Sequence, residues 1–256
     1  MTSGEVAIEA RSVFKEFGHV RALTGASLVV RRGEIVALVG DNGAGKSTLL
    51  KYMSGVLKAD SGTLLIDGNP VAIASVRDAH RLGIQTVYQD LALAPDLSIS
   101  ENIFLGSETL IEGWRGRFGF VARRAMMKKA DASLRALGIE VGSTGIRVSD
   151  LSGGQRQAVA IARGTLWASS VLLMDEPTAA LGTRQTEIVL KTIVDAAASG
   201  LAVCVVSHDM PRMLSLAHRI VVLRHGRVVA EFPADATDIP TVVAAMLGGT
   251  ESVVPA

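Results

Sequence analysis

Short runs of consecutive apolar residues alternate along the chain with segments in which apolar positions recur every three or four residues. The runs predict strands at residues 6–10, 27–30, 35–39, 63–66, 84–88, 171–174, 201–206, 220–224 and 228–232. The recurring positions predict one helix that follows Lys46 and others at residues 156–166, 185–198 and 210–217. Strands that alternate with helices are typical of an α/β fold with a buried parallel sheet.

The pattern changes between residues 91 and 149. Four apolar residues recur there at spacings of four, four and three, which places them on one face of a helix: Met126, Ala130, Leu134 and Leu137. Four basic residues lie off that face, and we interpret them as a solvated surface: Arg123, Arg124, Lys128 and Lys129. We therefore predict one domain over residues 5–247 with a mostly helical insert at about 91–165, and a flexible tail at residues 248–256.

The composition is that of a protein with a packed core, since 48% of the 256 residues are apolar and 20% are charged. The formal net charge of +1 argues against bare nucleic acid as the main partner. The one cysteine, Cys204, excludes an intrachain disulfide and is expected on a buried strand. No signal peptide or membrane-spanning segment is expected from the apolar pattern, and the chain is expected to work in a reducing cytosol.

A glycine-rich motif lies between the predicted strand at 35–39 and the helix that follows it. It reads Gly40-Asp41-Asn42-Gly43-Ala44-Gly45-Lys46-Ser47-Thr48, the G-x-x-x-x-G-K-S/T pattern of a phosphate loop. The glycines let the backbone curl so that several N–H groups point at one phosphate chain, and the positive end of the helix adds to this attraction. Lys46 places a positive charge on the β- and γ-phosphate oxygens, and Ser47 offers a hydroxyl to Mg²⁺.

Two carboxylates, Asp175 and Glu176, follow the apolar run at 171–174. A carboxylate at the end of a strand beside a phosphate loop can hold a water of the Mg²⁺ shell, and we assign that role to Asp175. The adjacent Glu176 can polarise an attacking water. On its own this pair would also fit a simple helix cap, but together with the phosphate loop it predicts nucleotide hydrolysis.

A second anion-binding segment is predicted at residues 151–155, Leu-Ser-Gly-Gly-Gln, which we name the signature segment. Ser152, Gly153, Gly154 and Gln155 stand at the start of a helical run, where backbone N–H groups can meet an anion. One phosphate loop already serves one nucleotide. The economical explanation is that the signature segment binds a nucleotide held by another subunit.

With three further elements in the same order, these motifs make the chain similar to the nucleotide-binding subunit of ATP-binding-cassette (ABC) transporters. The further elements are Phe17, Gln89 in Val87-Tyr88-Gln89, and Ser207-His208-Asp209. The resemblance covers residues 6 to about 247. It implies an α/β fold: a P-loop NTPase core with a parallel sheet, an N-terminal antiparallel β subdomain, and a helical subdomain inserted between Gln89 and the signature segment.

The resemblance also implies the roles of single residues, with ATP and Mg²⁺ as cofactors. Phe17 would stack on adenine, and His208 would contact the γ-phosphate and hold Glu176 and water in line. Gln89 would sense the γ-phosphate through Mg²⁺. The implied metal-side residues are Ser47, Gln89 and Asp175, and the implied catalytic residues are Glu176, His208, Gln89 and Lys46. The five histidines of the sequence show no metal-ligand spacing.

One position departs from the family pattern. After the catalytic glutamate the family usually reads Pro-Thr-Ser-Ala-Leu-Asp, but here the sixth residue is Gly182. The aspartate that helps couple the two sites across the dimer is therefore replaced. The missing aspartate and the stretch at residues 98–106 both resemble the carbohydrate-importer branch.

The resemblance implies an ATP-hydrolysing subunit of a membrane importer, with a monosaccharide such as ribose, xylose or fructose as cargo. The implied partners are a second copy of the chain or a related cassette in a head-to-tail dimer, membrane-spanning permease subunits and, indirectly, an external solute-binding protein. No nucleic acid is implied. The implied location is the cytoplasmic face of the inner membrane, as a peripheral subunit.

Other classes fit the sequence less well. An importer subunit for a non-sugar solute stays open, as does a non-transport ABC ATPase that acts on DNA or ribosomes. The DNA-repair type separates the phosphate loop from the signature by a long coiled coil, whereas Ser152 follows Lys46 by 106 positions with no sustained heptads. The ribosome type usually has two cassettes, and this sequence holds one set of motifs. A P-loop kinase or GTPase is disfavoured by the signature segment, Gln89 and His208.

Overall fold

The computed structural model describes residues 4–113, 117–139, 141–179 and 181–249. Its strands are β1 Val6–Phe17, β2 Val20–Arg31, β3 Ile35–Val39, β4 Ser61–Ile66, β5 Asn69–Val71, β6 Ile84–Val87, β7 Val171–Asp175, β8 Ala202–Val206, β9 Arg219–Arg224 and β10 Arg227–Pro233. Its helices are α1 Lys46–Met53, α2 Val76–Arg81, α3 Ile99–Phe104, α4 Arg123–Ala136, α5 Gly153–Trp167, α6 Thr183–Ala198, α7 Met210–Leu216 and α8 Ile239–Leu247. Two short 3-10 helices cover Val148–Asp150 and Ala234–Ala236.

The central sheet has six strands in the order β10-β9-β3-β8-β7-β6. Five neighbouring strands run parallel, namely β9, β3, β8, β7 and β6. Strand β10 pairs antiparallel with β9. Every residue of β3, β7 and β8 is buried, which explains why these strands read as unbroken apolar runs. The predicted parallel core is confirmed.

A second sheet is antiparallel, in the order β2-β1-β4-β5, and confirms the predicted N-terminal β subdomain. Strand β1 runs on to Phe17, although the apolar pattern predicted residues 6–10. Its second half exposes most of its residues, including Arg11 and Glu16, and has irregular register with β2. Backbone pairing extends this strand where side-chain burial does not, so the apolar pattern could not reveal its length.

The chain divides into two compact units. Unit 1 comprises the residues up to 89, residues 167–177 and those from 193 on, and it contains both sheets. Unit 2 comprises residues 90–166 and 178–192 and contains α3, α4 and nearly all of α5. The phosphate loop belongs to unit 1 and the signature segment to unit 2.

The segment between residues 91 and 149 is less helical than predicted, because α3, α4 and one 3-10 turn account for less than half of its described residues. Pro95 and the left-handed glycines Gly106 and Gly113 interrupt it. In α4 the predicted apolar face is confirmed for Met126, Ala130 and Leu134, whereas Leu137 is the half-buried C-cap. Arg123, Arg124, Lys128 and Lys129 are exposed, as interpreted from the sequence.

Three short elements, β5, α2 and α8, were not predicted from the sequence. Helix α8 begins after Asp238, whose carboxylate accepts a hydrogen bond from the Thr241 N–H at 2.9 Å, and it ends at the left-handed Gly248. Gly248 and Gly249 therefore close a helix, while residues 250–256 of the predicted tail lie outside the described residues. The turn at His225 and Gly226 is confirmed, since both residues have a positive φ.

Cys204 lies fully buried on β8, as predicted, and burial raises the pKa of its thiol to about 12. The thiolate is therefore scarce at neutral pH, which leaves Cys204 a packing residue. Among the described residues, no helix combines the length and the apolar composition that are needed to span a membrane.

Candidate nucleotide-binding site

The predicted nucleotide-binding residues of unit 1 lie after neighbouring parallel strands. The phosphate loop follows β3, His208 follows β8, Asp175 ends β7 and Gln89 follows β6. Strands β3, β8, β7 and β6 are consecutive neighbours in the sheet. Because the carboxyl ends of parallel strands meet at one edge, the topology brings these elements to the same edge, where α/β sheets bind ligands.

Close backbone packing explains two of the glycines in the phosphate loop. A Cβ on Gly40 would collide with the carbonyl oxygen of Leu223 at the end of β9. A Cβ on Gly45 would lie 2.5 Å from the carbonyl oxygen of Ala22 on β2. Both glycines also have a positive φ, of 153° and 106°, so an L side chain would be strained there.

The turn between β9 and β10 braces the phosphate loop, a contact that sequence reasoning missed. The Gly226 N–H donates to the carbonyl of Ala44 at 2.9 Å, and the Gly226 carbonyl accepts from the Thr24 N–H at 2.8 Å. The Thr24 hydroxyl donates to the carbonyl of His225 at 2.8 Å. The loop is thus hydrogen-bonded to a turn far away in sequence, which no local pattern could indicate.

Lys46 folds back over the loop that precedes it. Its Nζ donates to the carbonyls of Gly40 at 2.8 Å and Asp41 at 2.9 Å. Burial lowers the pKa of Lys46, although the charges of Glu176, Asp175 and Asp41 act in the opposite direction. The ammonium therefore lies in a site that favours a further negative charge. The N-cap of α1, Gly45, offers no side-chain acceptor to the first turn of the helix, which leaves its N–H groups suited to phosphate oxygens.

Asp175 supplies the observation that tests whether Mg²⁺ fits here. It is buried, and its Oδ1 has no hydrogen-bond partner among the residues that the structure describes. A buried carboxylate oxygen without a hydrogen-bond partner lowers the stability of the fold unless a ligand or a water binds to it. The other two residues expected on the metal side, Ser47 and Gln89, offer a hydroxyl and an amide oxygen, and oxygen donors are the kind that Mg²⁺ prefers. The residues present therefore fit this ion.

Glu176 and His208 form a close pair. The Glu176 Oε2 lies 2.9 Å from the Nδ1 of His208, with the imidazole 78% exposed and the Glu176 side chain 15% exposed. Glu176 has a positive φ of 50°, and its N–H donates to the carbonyl of Val206 at 2.9 Å. A non-glycine residue in this conformation carries strain, which is typical of functional positions. The pair places a carboxylate and an imidazole side by side, where both can contact one water that lies next to them.

Phe17 ends β1 with a half-exposed ring, and the Nζ of Lys15 lies 5.4 Å from the ring centroid. The next strand, β2, contacts the phosphate loop through Ala22. The hairpin that carries Phe17 thus lies beside the loop, with the ring half exposed.

The signature segment begins α5 with a capping box. The Gln155 N–H donates to the Ser152 Oγ at 3.3 Å, and the Ser152 N–H donates to the Gln155 Oε1 at 2.9 Å. Helix α5 starts at Gly153, so Gly153 and Gly154 lie in its first turn and do not precede it as expected. This segment belongs to unit 2, whereas the other predicted site residues belong to unit 1.

Gly182, the position that departs from the family pattern, precedes α6. Its carbonyl accepts the Thr186 N–H at 3.0 Å, so the residue acts as the N-cap of that helix. A Cβ there would lie 2.9 Å from Oε1 of Gln185, the flexible end of a side chain. The backbone therefore does not demand glycine at this position.

Comparison with known proteins identifies the family of this chain. A sequence profile described as ABC transporter matches residues 23–179. The chain is 43% identical to a fructose import ATP-binding protein of Rhizobium meliloti over 96% of each chain. It is 41% identical to a xylose/arabinose import ATP-binding protein of Sulfolobus acidocaldarius over 93% of each. It also matches a ribose import ATP-binding protein of Burkholderia pseudomallei at 40% identity, but spans only 46% of that protein.

Solved structures share the fold. A nucleotide-free ATP-binding cassette from an ABC transporter superposes with a TM-score of 0.79 at 24% identity, over 95% of this chain and 99% of that one. A dimeric ATP-binding cassette in a post-hydrolysis state, bound to ADP and Pi, has a TM-score of 0.76 at 26% identity, over 90% of this chain and 100% of that one.

Proposed function

This chain belongs to the ABC transporter family, and we propose that it is the subunit that binds and hydrolyses ATP for an importer of monosaccharides. The relatives that match along almost their whole length are named for the import of fructose and of xylose or arabinose. The observation that carries the ATPase assignment is the meeting of a phosphate loop, an unpartnered buried carboxylate oxygen and a Glu–His pair at one sheet edge.

In the proposed reaction, the phosphate loop holds the triphosphate through its backbone N–H groups, and Lys46 neutralises the β- and γ-phosphates. Glu176 accepts the proton of the attacking water, and His208, 2.9 Å from its carboxylate, keeps Glu176 and the water in line with the γ-phosphate. Phe17 stacks on the adenine. These residues bring a water and a phosphoryl group together in a fixed geometry, which is the main source of catalysis in phosphoryl transfer.

Mg²⁺ is part of the same proposal, with Ser47, Gln89 and Asp175 as its residues. When bound, the ion supplies positive charge to the β- and γ-phosphate oxygens. The buried Asp175 Oδ1 supports this assignment because it lacks a partner in the described residues.

We further propose that Ser152, Gly153, Gly154 and Gln155 bind the nucleotide of a second copy in a head-to-tail dimer. Gly153 supports this, since a Cβ added there meets nothing within 4 Å in the described chain. No contact among the described residues explains a glycine at that exposed place, whereas a closely approaching phosphate of another subunit would. The other partners proposed are permease subunits and, indirectly, an external solute-binding protein, with this chain peripheral on the cytoplasmic membrane face.

Mixing two inactive chains tests the site in trans. A Lys46→Ala chain combined with a Ser152→Arg chain forms a mixed dimer with one intact composite site and one site that contains both defects. We expect ATP turnover to return in part on the assembled permease, because the replacement of the coupling aspartate by Gly182 favours two sites that hydrolyse ATP independently. The measurement is phosphate release as a function of mixing ratio. The trans site would be refuted if neither ATP binding nor turnover recovers while both chains are folded and co-assembled.

Transport by the reconstituted importer tests which solute it carries. The subunit, its permease and its binding protein in proteoliposomes are expected to accumulate labelled fructose, xylose or ribose only when ATP is supplied on the side of this chain. Uptake of an amino acid serves as the comparison. ATP-driven uptake of the amino acid and none of the sugars would replace the monosaccharide assignment by that of a non-sugar importer.

A further inference from the structure

Arg163 holds the chain segment that follows Gln89. Only Asp90 separates Gln89 from Leu91, and we name residues 91–98 the connecting segment. Arg163 lies on α5, the helix that begins in the signature segment, and its Nη2 donates to the Leu91 carbonyl at 3.1 Å. Its Nη1 donates to the Ala92 carbonyl at 2.9 Å. One side chain thus ties the start of the connecting segment to the signature helix through two charge-assisted hydrogen bonds.

The tied backbone is strained at Ala92, which has a φ of 47°. An alanine in the left-handed region is disfavoured and persists only where its surroundings impose it. The Arg163 guanidinium, bonded to the carbonyl of Ala92 and of the residue before it, is such a constraint.

Asn102 holds the same segment from a second helix. This residue of α3 is fully buried, and its Oδ1 accepts the Ala94 N–H at 2.7 Å. Its Nδ2 lies within hydrogen-bond distance of three carbonyl oxygens, those of Ala94 at 2.9 Å, Ser98 at 3.0 Å and Leu97 at 3.3 Å. The connecting segment has no regular secondary structure, so its backbone N–H and C=O groups form hydrogen bonds with the amide of Asn102 instead.

Backbone hydrogen bonds then join the connecting segment to the residues before the signature segment. The Ser149 N–H donates to the Pro95 carbonyl and the Val148 N–H to the Leu97 carbonyl, both at 3.0 Å. The pairing continues from Ile99 to Ile146 at 3.0 Å and from Ser100 to Thr144 at 2.9 Å. From there the chain turns through one 3-10 turn into Leu151, the first residue of the signature segment.

We propose that Arg163 and Asn102 are positioning residues that make the connecting segment and the signature segment one body. Displacement of Gln89 by a nucleotide in its own subunit would then move the signature segment that serves the nucleotide of the partner. The proposal rests on the proposed function for the roles of Gln89 and the signature segment. The joining of the two segments itself rests only on the hydrogen bonds within unit 2.

The test uses the full chain with Arg163→Met, which keeps an unbranched apolar side chain but removes the donors, and Arg163→Lys, which keeps the positive charge. Asn102→Leu removes the second support. Hydrogen exchange followed by mass spectrometry is expected to rise in peptides from both residues 91–98 and residues 148–156 in Arg163→Met and Asn102→Leu. In the assembled transporter kcat is expected to fall about ten- to a hundredfold, while the ATP affinity of the single chain changes less than about twofold, because the phosphate loop is untouched.

Thr192→Val is the matched control, because it removes a buried hydroxyl of unit 2 whose hydrogen bond among the described residues lies within α6, to the Ile188 carbonyl at 2.9 Å. Arg163→Lys is expected to recover part of kcat. The proposal is overturned if folded Arg163→Met shows faster exchange in residues 91–98 alone, or a kcat equal to that of the control. If the unaltered chain hydrolyses no ATP, the proposed function fails instead, and the exchange measurement still decides whether the two segments are joined.

Discussion

A Glu176→Gln chain is expected to bind ATP with nearly unchanged affinity and to hydrolyse it about 10²- to 10⁴-fold more slowly. Glutamine has the shape of glutamate and tolerates the same backbone, so the phosphate loop and the Asp175 carboxylate keep their places. Its amide cannot take the proton of the attacking water. The His208 imidazole, which lies 2.9 Å from Oε2 in the unaltered chain, would face a neutral amide instead of a carboxylate.

The chain that cannot complete the reaction should also accumulate as an ATP-bound dimer. Closure of two subunits on ATP is reversed by hydrolysis in the proposed cycle, so blocking hydrolysis traps the closed form. Steady-state phosphate release measures the first effect and size-exclusion chromatography with ATP the second. Glu187→Gln, the same chemical change at an exposed position of α6, is the control. Turnover of Glu176→Gln close to that of the control would rule out Glu176 as the general base.

The nucleotide edge of unit 1 could be predicted because its residues follow strands that are buried on both faces. The predicted strand 35–39 matches β3, and the helix begins at Lys46 as expected. Once five core strands run parallel, their carboxyl ends share an edge, and residues far apart in sequence come together without any contact being known. Fixed spacing around Gly40, Gly45 and Lys46 then identifies the chemistry, since few other arrangements cradle a phosphate chain.

The hydrogen bonds that hold the loops within each unit could not be predicted in the same way. Gly226 braces Ala44, and Arg163 holds Leu91 and Ala92, through hydrogen bonds to backbone carbonyls. A backbone carbonyl has no residue identity, so the sequence gives no sign of which side chain it will meet. The loops of unit 2 are ordered mostly by such bonds, which explains why the region between 91 and 149 was predicted to contain more helix than it has.

Lys46→Ala is expected to lower the affinity for ATP about a hundredfold, which corresponds to about 3 kcal/mol of binding free energy. In the free chain the ammonium already lies at the loop, 2.8 Å from the Gly40 carbonyl and 2.9 Å from that of Asp41. A bound triphosphate brings a charge into this half-buried place, and only Lys46 among the loop's side chains can meet it with a full positive charge. Lys51→Ala, an exposed lysine of the same helix, is the control.

The dependence of this effect on pH separates the charge of Lys46 from its bulk. Burial lowers the pKa of Lys46 in the free chain, and a bound phosphate chain would raise it, because the phosphate favours the protonated ammonium. Binding therefore takes up a proton wherever the free chain has lost one, and the affinity of the unaltered chain should fall as the pH rises through the lowered pKa. Lys46→Ala has no such group, so the gap between the two chains should narrow at alkaline pH. Equilibrium titration with a fluorescent ATP analogue at several pH values measures both affinities. An affinity of Lys46→Ala equal to that of Lys51→Ala at neutral pH would mean that this loop is not where the phosphates bind.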